Sequence, residues 1–443
     1  MINQYIYENG LKLIHEKPQS DLPITSIQIF CDIGSIYEKD GVRGAAHFIE
    51  HMCFKGTSKI PDGKEIFLNY NKIGAYFNAN TEKRYTRYTV ICQDEYFKNS
   101  FYILSDMLMN SIFNKKDFEK EINVVVEENI RNEDDANDLM SIIINKVLYK
   151  GSSYENAIDT LSFHKKNTLK YEDVIEMYKM FYKPNRMVIS IVSNLSFLSI
   201  KNMVKSSDFL KKHKNSTCYS DKYPKITTIV PQSTVQYNIT KKIGVTTMHL
   251  NIGFRTTNHM SADKYILNVL SNVIGGNTSS RLFRLLREEN GLTYSSSCYT
   301  TYYEHLGDLT IDIESDSRKI MKNGNKKGVL SLVITMLNDL LKNGIKQDEL
   351  SMIKSNLKGS MILDIQNNDT SAFHNGLETL MGSDTIVPYC NLYEKYYASI
   401  TKNDVNNIIR KYIKKENMVI CLLGENVPSL ESVKHECEKI VEK

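Results

Sequence analysis

Three side chains in one short stretch have the types and spacing to hold and use a metal ion. In Gly44-Ala-Ala-His-Phe-Ile-Glu-His-Met-Cys-Phe-Lys-Gly-Thr57, His47 and His51 stand four residues apart. On a helix their imidazoles stack on one face and both reach one ion. Glu50, three residues after His47, lies near the same face, where its carboxylate can meet a water beside the metal instead of the metal itself. The order is HxxEH, the reverse of HExxH. A third ligand can come from a second helix, because Phe118-Glu-Lys-Glu-Ile-Asn-Val-Val-Val-Glu-Glu128 carries the helical pattern with Ile122, Val125 and Val126 inward. Glu121 and Glu128 are seven residues apart there, two turns along one face. Two histidines and one glutamate leave a fourth tetrahedral position open, as catalytic zinc sites do, and two nitrogens with one hard oxygen suit zinc better than iron–sulfur chemistry or calcium. From the residues alone two plainer readings stay open. His47 and His51 can be ordinary helix residues satisfied by neighbours, and Glu128, crowded by Glu127, Glu133, Asp134 and Asp135, can belong to a solvated acidic face. Cys53, two positions past His51, points to another face of the helix and reads as packing.

The elements that must position these groups recur along the chain. Asp173-Val174 followed by Phe181-Tyr-Lys-Pro-Asn-Arg-Met187-Val188-Ile189 is matched, 231 residues on, by Asp404-Val405 and Tyr412-Ile-Lys-Lys-Glu-Asn-Met418-Val419-Ile420. Each copy reads as a capped helix leading into a buried strand, 188–192 and 419–423. The halves also begin alike: an alternating strand over 25–34 leads to a helix near 42–53, and a strand over 246–254 leads to a helix near 261–274. The N-terminus reads as strand, turn at Asn9-Gly10, strand. These signals predict an α+β fold of two homologous domains, each a mainly antiparallel sheet with helices packed on one face. The expected boundaries are 1–210 for the domain with HxxEH and the third ligand, 211–233 for a polar linker, and 234–443 for a domain without a metal site.

Bulk properties narrow the function classes. A chain of 443 residues suits two domains, and 41% hydrophobic with 24% charged residues is an ordinary globular composition with no apolar run long enough for a membrane span. The net charge of +4, from 56 basic and 52 acidic residues spread along the chain, falls short of a nucleic-acid-binding surface. Eight cysteines without a CxxC pair read as free thiols, and the N-terminus has neither a secretory nor a transit pattern, so the expected location is the cytoplasm.

His47-Phe-Ile-Glu-His-Met-Cys-Phe-Lys-Gly-Thr57 resembles the HFxEHMxFKGT motif of the insulinase/pitrilysin metallopeptidases, and most closely the branch of mitochondrial processing peptidase and its bacterial relatives. The spacing from His51 to Glu128 fits that family's third ligand, and Glu121 matches an additional glutamate seven residues before it. The resemblance implies a zinc endopeptidase with one Zn2+ per chain held by His47, His51 and Glu128, Glu50 as general base, and Glu121 orienting a ligating histidine or tuning Glu128. The segment 74–81, continuing to Thr86 and Tyr88, resembles the family's edge strand, whose Asn78-Ala79 backbone receives an extended peptide by strand addition. Tyr85 departs from the family there, where an acidic residue or glutamine is usual. Gly276-Asn-Thr-Ser-Ser-Arg-Leu-Phe283 with Arg287 and Tyr294 resembles the family's SSRLF…R…GLxYS signature, implying donors for a peptide carbonyl and its oxyanion. Because long members fuse two such two-domain units around a chamber, the resemblance also implies a homodimer, or a heterodimer with a related subunit, with Arg287 and Tyr294 reaching the partner's site. A noncatalytic family member serving as subunit or scaffold is the alternative. Structural zinc in a binding protein fits less well, since such sites prefer four closed ligands, usually with cysteine.

Overall fold

A computed structural model of the chain describes residues 2–158, 169–211, 226–227, 231–321, 324 and 327–440. The stretch 211–233 expected as a linker falls largely outside them. Two mixed α/β units emerge, each with one sheet. The first has the order β1-β2-β6-β3-β5-β4, with β1 Ile2–Ile6, β2 Lys12–Glu16, β3 Ile24–Cys31, β4 Tyr76–Thr81, β5 Thr86–Gln93 and β6 Met187–Val192. All its pairings are antiparallel except β2 with β6. Glycine is required at the β1–β2 turn, because Gly10 has φ +85° and a Cβ there would stand 2.7 Å from that of Asn185.

The second sheet has the order β7-β11-β8-β10-β9, with β7 Gln236–Lys241, β8 Thr247–Arg255, β9 Thr293–Tyr302, β10 Gly307–Asp316 and β11 Met418–Gly424. Again a single pairing, β7 with β11, is parallel. The principal helices among the described residues are α1 Ala45–Cys53, α2 Gly63–Lys72, α3 Phe97–Asn110, α4 Lys115–Asp134, α5 Ala136–Leu148, α6 Tyr171–Phe181 and α7 Phe197–Ser206 in the first half of the chain. In the second half they are α8 Asp263–Gly275, α9 Val329–Asn343, α10 Gln347–Asp364, α11 Asn368–Leu380, α12 Lys402–Tyr412 and α13 Leu430–Cys437. The repeat therefore extends beyond the matched residues. Helix α6 over 171–181 and α12 over 402–412 keep the offset of 231, and α4 with α10 and α5 with α11 correspond to within two residues of it.

The compact units do not follow the contiguous halves 1–210 and 234–443. One gathers the described residues of Met1–Ile130, Asn156–Ile226 and Ser360–Leu392; the other gathers Arg131–Glu155, Thr227–Gly359 and Tyr393–Lys443. The physical reason lies in the second face of each sheet. On β3, alternation turns Ile27, Ile29 and Cys31 toward the face that carries α1, while Ser26, Gln28 and Phe30 turn the other way. That other face is covered by α11, from the second half of the sequence: Gln28 Nε2 donates to Asp369 Oδ1 at 2.5 Å, and Phe30 packs on Phe373 with centroids 5.9 Å apart. Helix α5, from the first half, covers the corresponding face of the second sheet, where Gly253 of β8 lies under Leu148 and Ile144. Opposite it, Leu250, Ile252 and Phe254 join Ile311, Ile313, Ile420 and Leu422 in a core roofed by α8, α9 and α12.

Six of the seven described cysteines are buried, and all seven are free thiols. No described helix is long and apolar enough to cross a membrane.

Candidate metal centre

Helix α1 begins abruptly. Its N-cap is Gly44, at φ +85° and with no side chain to satisfy the first amides. Glu38, from the preceding loop, does this instead: its two oxygens accept the Gly44 and Ala46 N–H groups, each at 2.8 Å. Burial pushes the Glu38 carboxyl up to about 7, although those two bonds pull the other way.

One turn into the helix, His47 and His51 stand edge to face with centroids 4.7 Å apart. Their Nε2 atoms are 3.2 Å apart, and Glu128 of α4 brings Oε2 to 3.5 Å from His51 Nε2. Ligand atoms of all three residues lie within 4.8 Å of one another. Donors each about 2.1 Å from a tetrahedral ion are roughly 3.4 Å apart, so the donor set and its spacing fit zinc. Glu121, two turns before Glu128, is buried and sets the far side of His51. Its Oε1 lies 2.9 Å from His51 Nδ1, and its Oε2 lies 2.5 Å from Lys55 Nζ. Burial raises the Glu121 carboxyl, but the bonds from His51 and Lys55 outweigh it and hold the group below its ordinary value. His51 therefore presents Nε2 to the other ligands while Nδ1 faces a carboxylate, the support that metal-bound histidines commonly have.

Glu50 points from the same helix into the protein and is 7% exposed. Thr81, at the end of β4, donates its hydroxyl to Glu50 Oε2 at 2.6 Å. Burial raises the Glu50 carboxyl, with His47 and the Thr81 bond pulling it down. A buried carboxylate beside a metal set, with its affinity for a proton raised, is suited to general-base work.

Comparison with known proteins gives the family of the chain. The model of insulinase (peptidase family M16) matches residues 15–160, and that of the peptidase M16 inactive domain matches 168–357. An uncharacterized zinc protease of Bacillus subtilis, YmxG, is 30% identical over 385 residues, covering 86% of this chain and 88% of its own. The chain belongs to the insulinase family, peptidase family M16. The beta subunit of the mitochondrial-processing peptidase of Dictyostelium discoideum is 25% identical, covering 68% of this chain and 64% of its own. Among solved structures, a protease from Helicobacter pylori shares the fold at a TM-score of 0.86 and 18% identity, covering 96% of this chain and 99% of its own.

The remaining candidate residues of this M16 chain fall in two places. Asn78 and Ala79 lie on β4, which among the described residues pairs only with β5 and so forms an edge of the first sheet. Asn78 Oδ1 accepts the Ala79 N–H at 2.9 Å, so that amide points away from β5. Beside them a cleft of about 310 Å³ is lined by Phe54, Phe67 and Phe77 together with Glu50, His51 and Lys55. Tyr85, the departure from the family pattern, is buried against Phe30, in the cluster that α11 covers. Arg287 and Tyr294 belong to the second compact unit. They meet each other there, Arg287 donating to the Tyr294 carbonyl at 3.1 Å, and Tyr294 is 66% exposed.

Glu38, Lys55 and Thr81 have no role legible in the sequence alone. Lys55 and Thr81 sit inside segments already singled out, HFxEHMxFKGT and the edge strand, which was the available signal. Glu38 lies in a loop two residues before Asp40, and no period or motif marks it.

Proposed function

We propose that this M16 chain is a zinc-dependent endopeptidase that hydrolyses peptides or extended protein segments laid along β4. The observation that carries the reading is the convergence of His47, His51 and Glu128 beside a buried Glu50 tethered by Thr81. His47, His51 and Glu128 would hold the zinc, which would supply Lewis acidity, lowering the pKa of water toward ~7 and polarising the scissile carbonyl. Glu50 takes the proton of the attacking water and returns it to the leaving amine; its raised pKa favours carrying that proton between the two transfers. Glu121 keeps His51 in the tautomer and orientation that ligation needs. The edge of β4, including the Ala79 N–H now taken by Asn78, offers backbone groups to an added strand. Side chains of that strand alternate in direction, and those on the metal side meet the phenyl rings of Phe54, Phe67 and Phe77, which favour an apolar residue.

Two copies of the chain form the working chamber in this reading, with Arg287 and Tyr294 of one copy donating to the oxyanion formed at the other's site. The buried, unpaired thiols suit the cytoplasm.

The test compares wild type with Glu50→Gln for zinc content and for cleavage of a mixed peptide library. About one zinc per chain in both, with turnover only in the wild type, is the expected outcome. Zinc without turnover in either points instead to a noncatalytic subunit or to a missing heteromeric partner. Mixing Glu50→Gln with Arg287→Ala, each inactive alone, should restore part of the activity if the arginine acts in trans; no recovery in mixed dimers shown to form would place it in cis.

A further inference from the structure

We propose that Lys55 is a positioning residue of the metal centre, acting through Glu121 on the orientation of His51. The proposal rests on the zinc reading above. Glu121 is 4% exposed and divides its two oxygens between one imidazole N–H and one ammonium. A buried carboxylate facing only a neutral imidazole would lack a compensating charge, and Lys55 supplies it. With Oε2 held by the ammonium, Oε1 is left to a single task, accepting from His51 Nδ1. That bond fixes the tautomer in which Nε2 faces His47 and Glu128.

The lysine is itself held by its backbone. Its N–H donates to Met52 O at 3.1 Å, directly past the end of α1. Gly56, which follows, has φ +127° and lies so close to Pro61 that a Cβ would be 2.3 Å from its carbonyl oxygen. The Gly56 carbonyl accepts from Ile112 N–H at 3.2 Å, and the Thr57 hydroxyl donates to Asp106 of α3. The turn after the HxxEH helix is thus fastened to the end of α3, and the Lys55 stem starts from a fixed point on its way to Glu121. Lys55 also lines the cleft beside β4, so a role in contacting substrate is the competing assignment.

Zinc affinity, measured by competition with a chromogenic chelator, separates the two. Lys55→Met keeps the stem and removes the charge, and should weaken zinc about 10- to 100-fold, the usual effect of losing a partner behind a ligand. Lys55→Arg should recover most of that loss. In a Glu121→Gln background, Lys55→Met should change zinc affinity no further. Unchanged zinc affinity in Lys55→Met, or an equal loss in both backgrounds, overturns the proposal while stoichiometric zinc in the wild type leaves the peptidase reading standing. A wild type that binds no zinc overturns both.

Discussion

Thr81 reaches Glu50 from 31 residues along the chain, and the bond from its hydroxyl helps to pull the Glu50 carboxyl down. Thr81→Val keeps the shape and removes the donor, so the Glu50 pKa should rise. A general base acts in its ionised form, so the acid limb of the kcat/KM profile should move to higher pH and turnover near neutrality should fall about 10-fold. A pH profile in which the limb stays in place would remove Thr81 from the mechanism. The contrast with the histidines shows what was legible at this scale. His47, Glu50 and His51 share one helix, and the 3.6-residue period alone brings them together. Glu128 came from family spacing as much as from helix pattern. Thr81, Lys55 and Glu38 each act on a partner through a turn or on another element, and no local period records such a meeting.

At the scale of elements, the crossing of α11 over β3 depends on one small residue. A Cβ on Gly376 would stand 2.1 Å from the ring of Phe30, which is fully buried. Gly376→Ala should therefore destabilise the protein by about 1–3 kcal/mol despite the better helix propensity of alanine. Gly359, in α10, has nothing within 4 Å of its Cβ position, and Gly359→Ala should stabilise by roughly 0.5–1 kcal/mol. Paired thermal melts check both signs, and equal shifts would refute the packing account. The repeat at 231 residues foretold α6, β6, α12 and β11, because each carries its own hydrophobic period. It did not tell which sheet α5 and α11 cover. An amphipathic helix announces that it has an apolar face, and similar faces on two sheets are equally acceptable to it.

For the whole molecule, the expected fold class holds while the division of the chain into compact units is interleaved. A fragment of residues 1–233 lacks α11, leaving Phe30 and its neighbours uncovered, and a fragment of residues 234–443 lacks α5 over Gly253. Each fragment expressed alone should lack a cooperative melt, and the two co-expressed should purify together. A cooperative melt in either fragment alone would show that the covering helix is dispensable. The interleaving also bears on how the protein is made. Translation proceeds at roughly 5–20 residues per second, so about 10–40 s separate the emergence of the last strand of the first sheet, ending at Val192, from that of Leu380, the end of the helix that covers it. Throughout that interval the residues of the first sheet are without the helix that covers one of its faces, and shielding their apolar side chains falls to whatever waits at the ribosome exit.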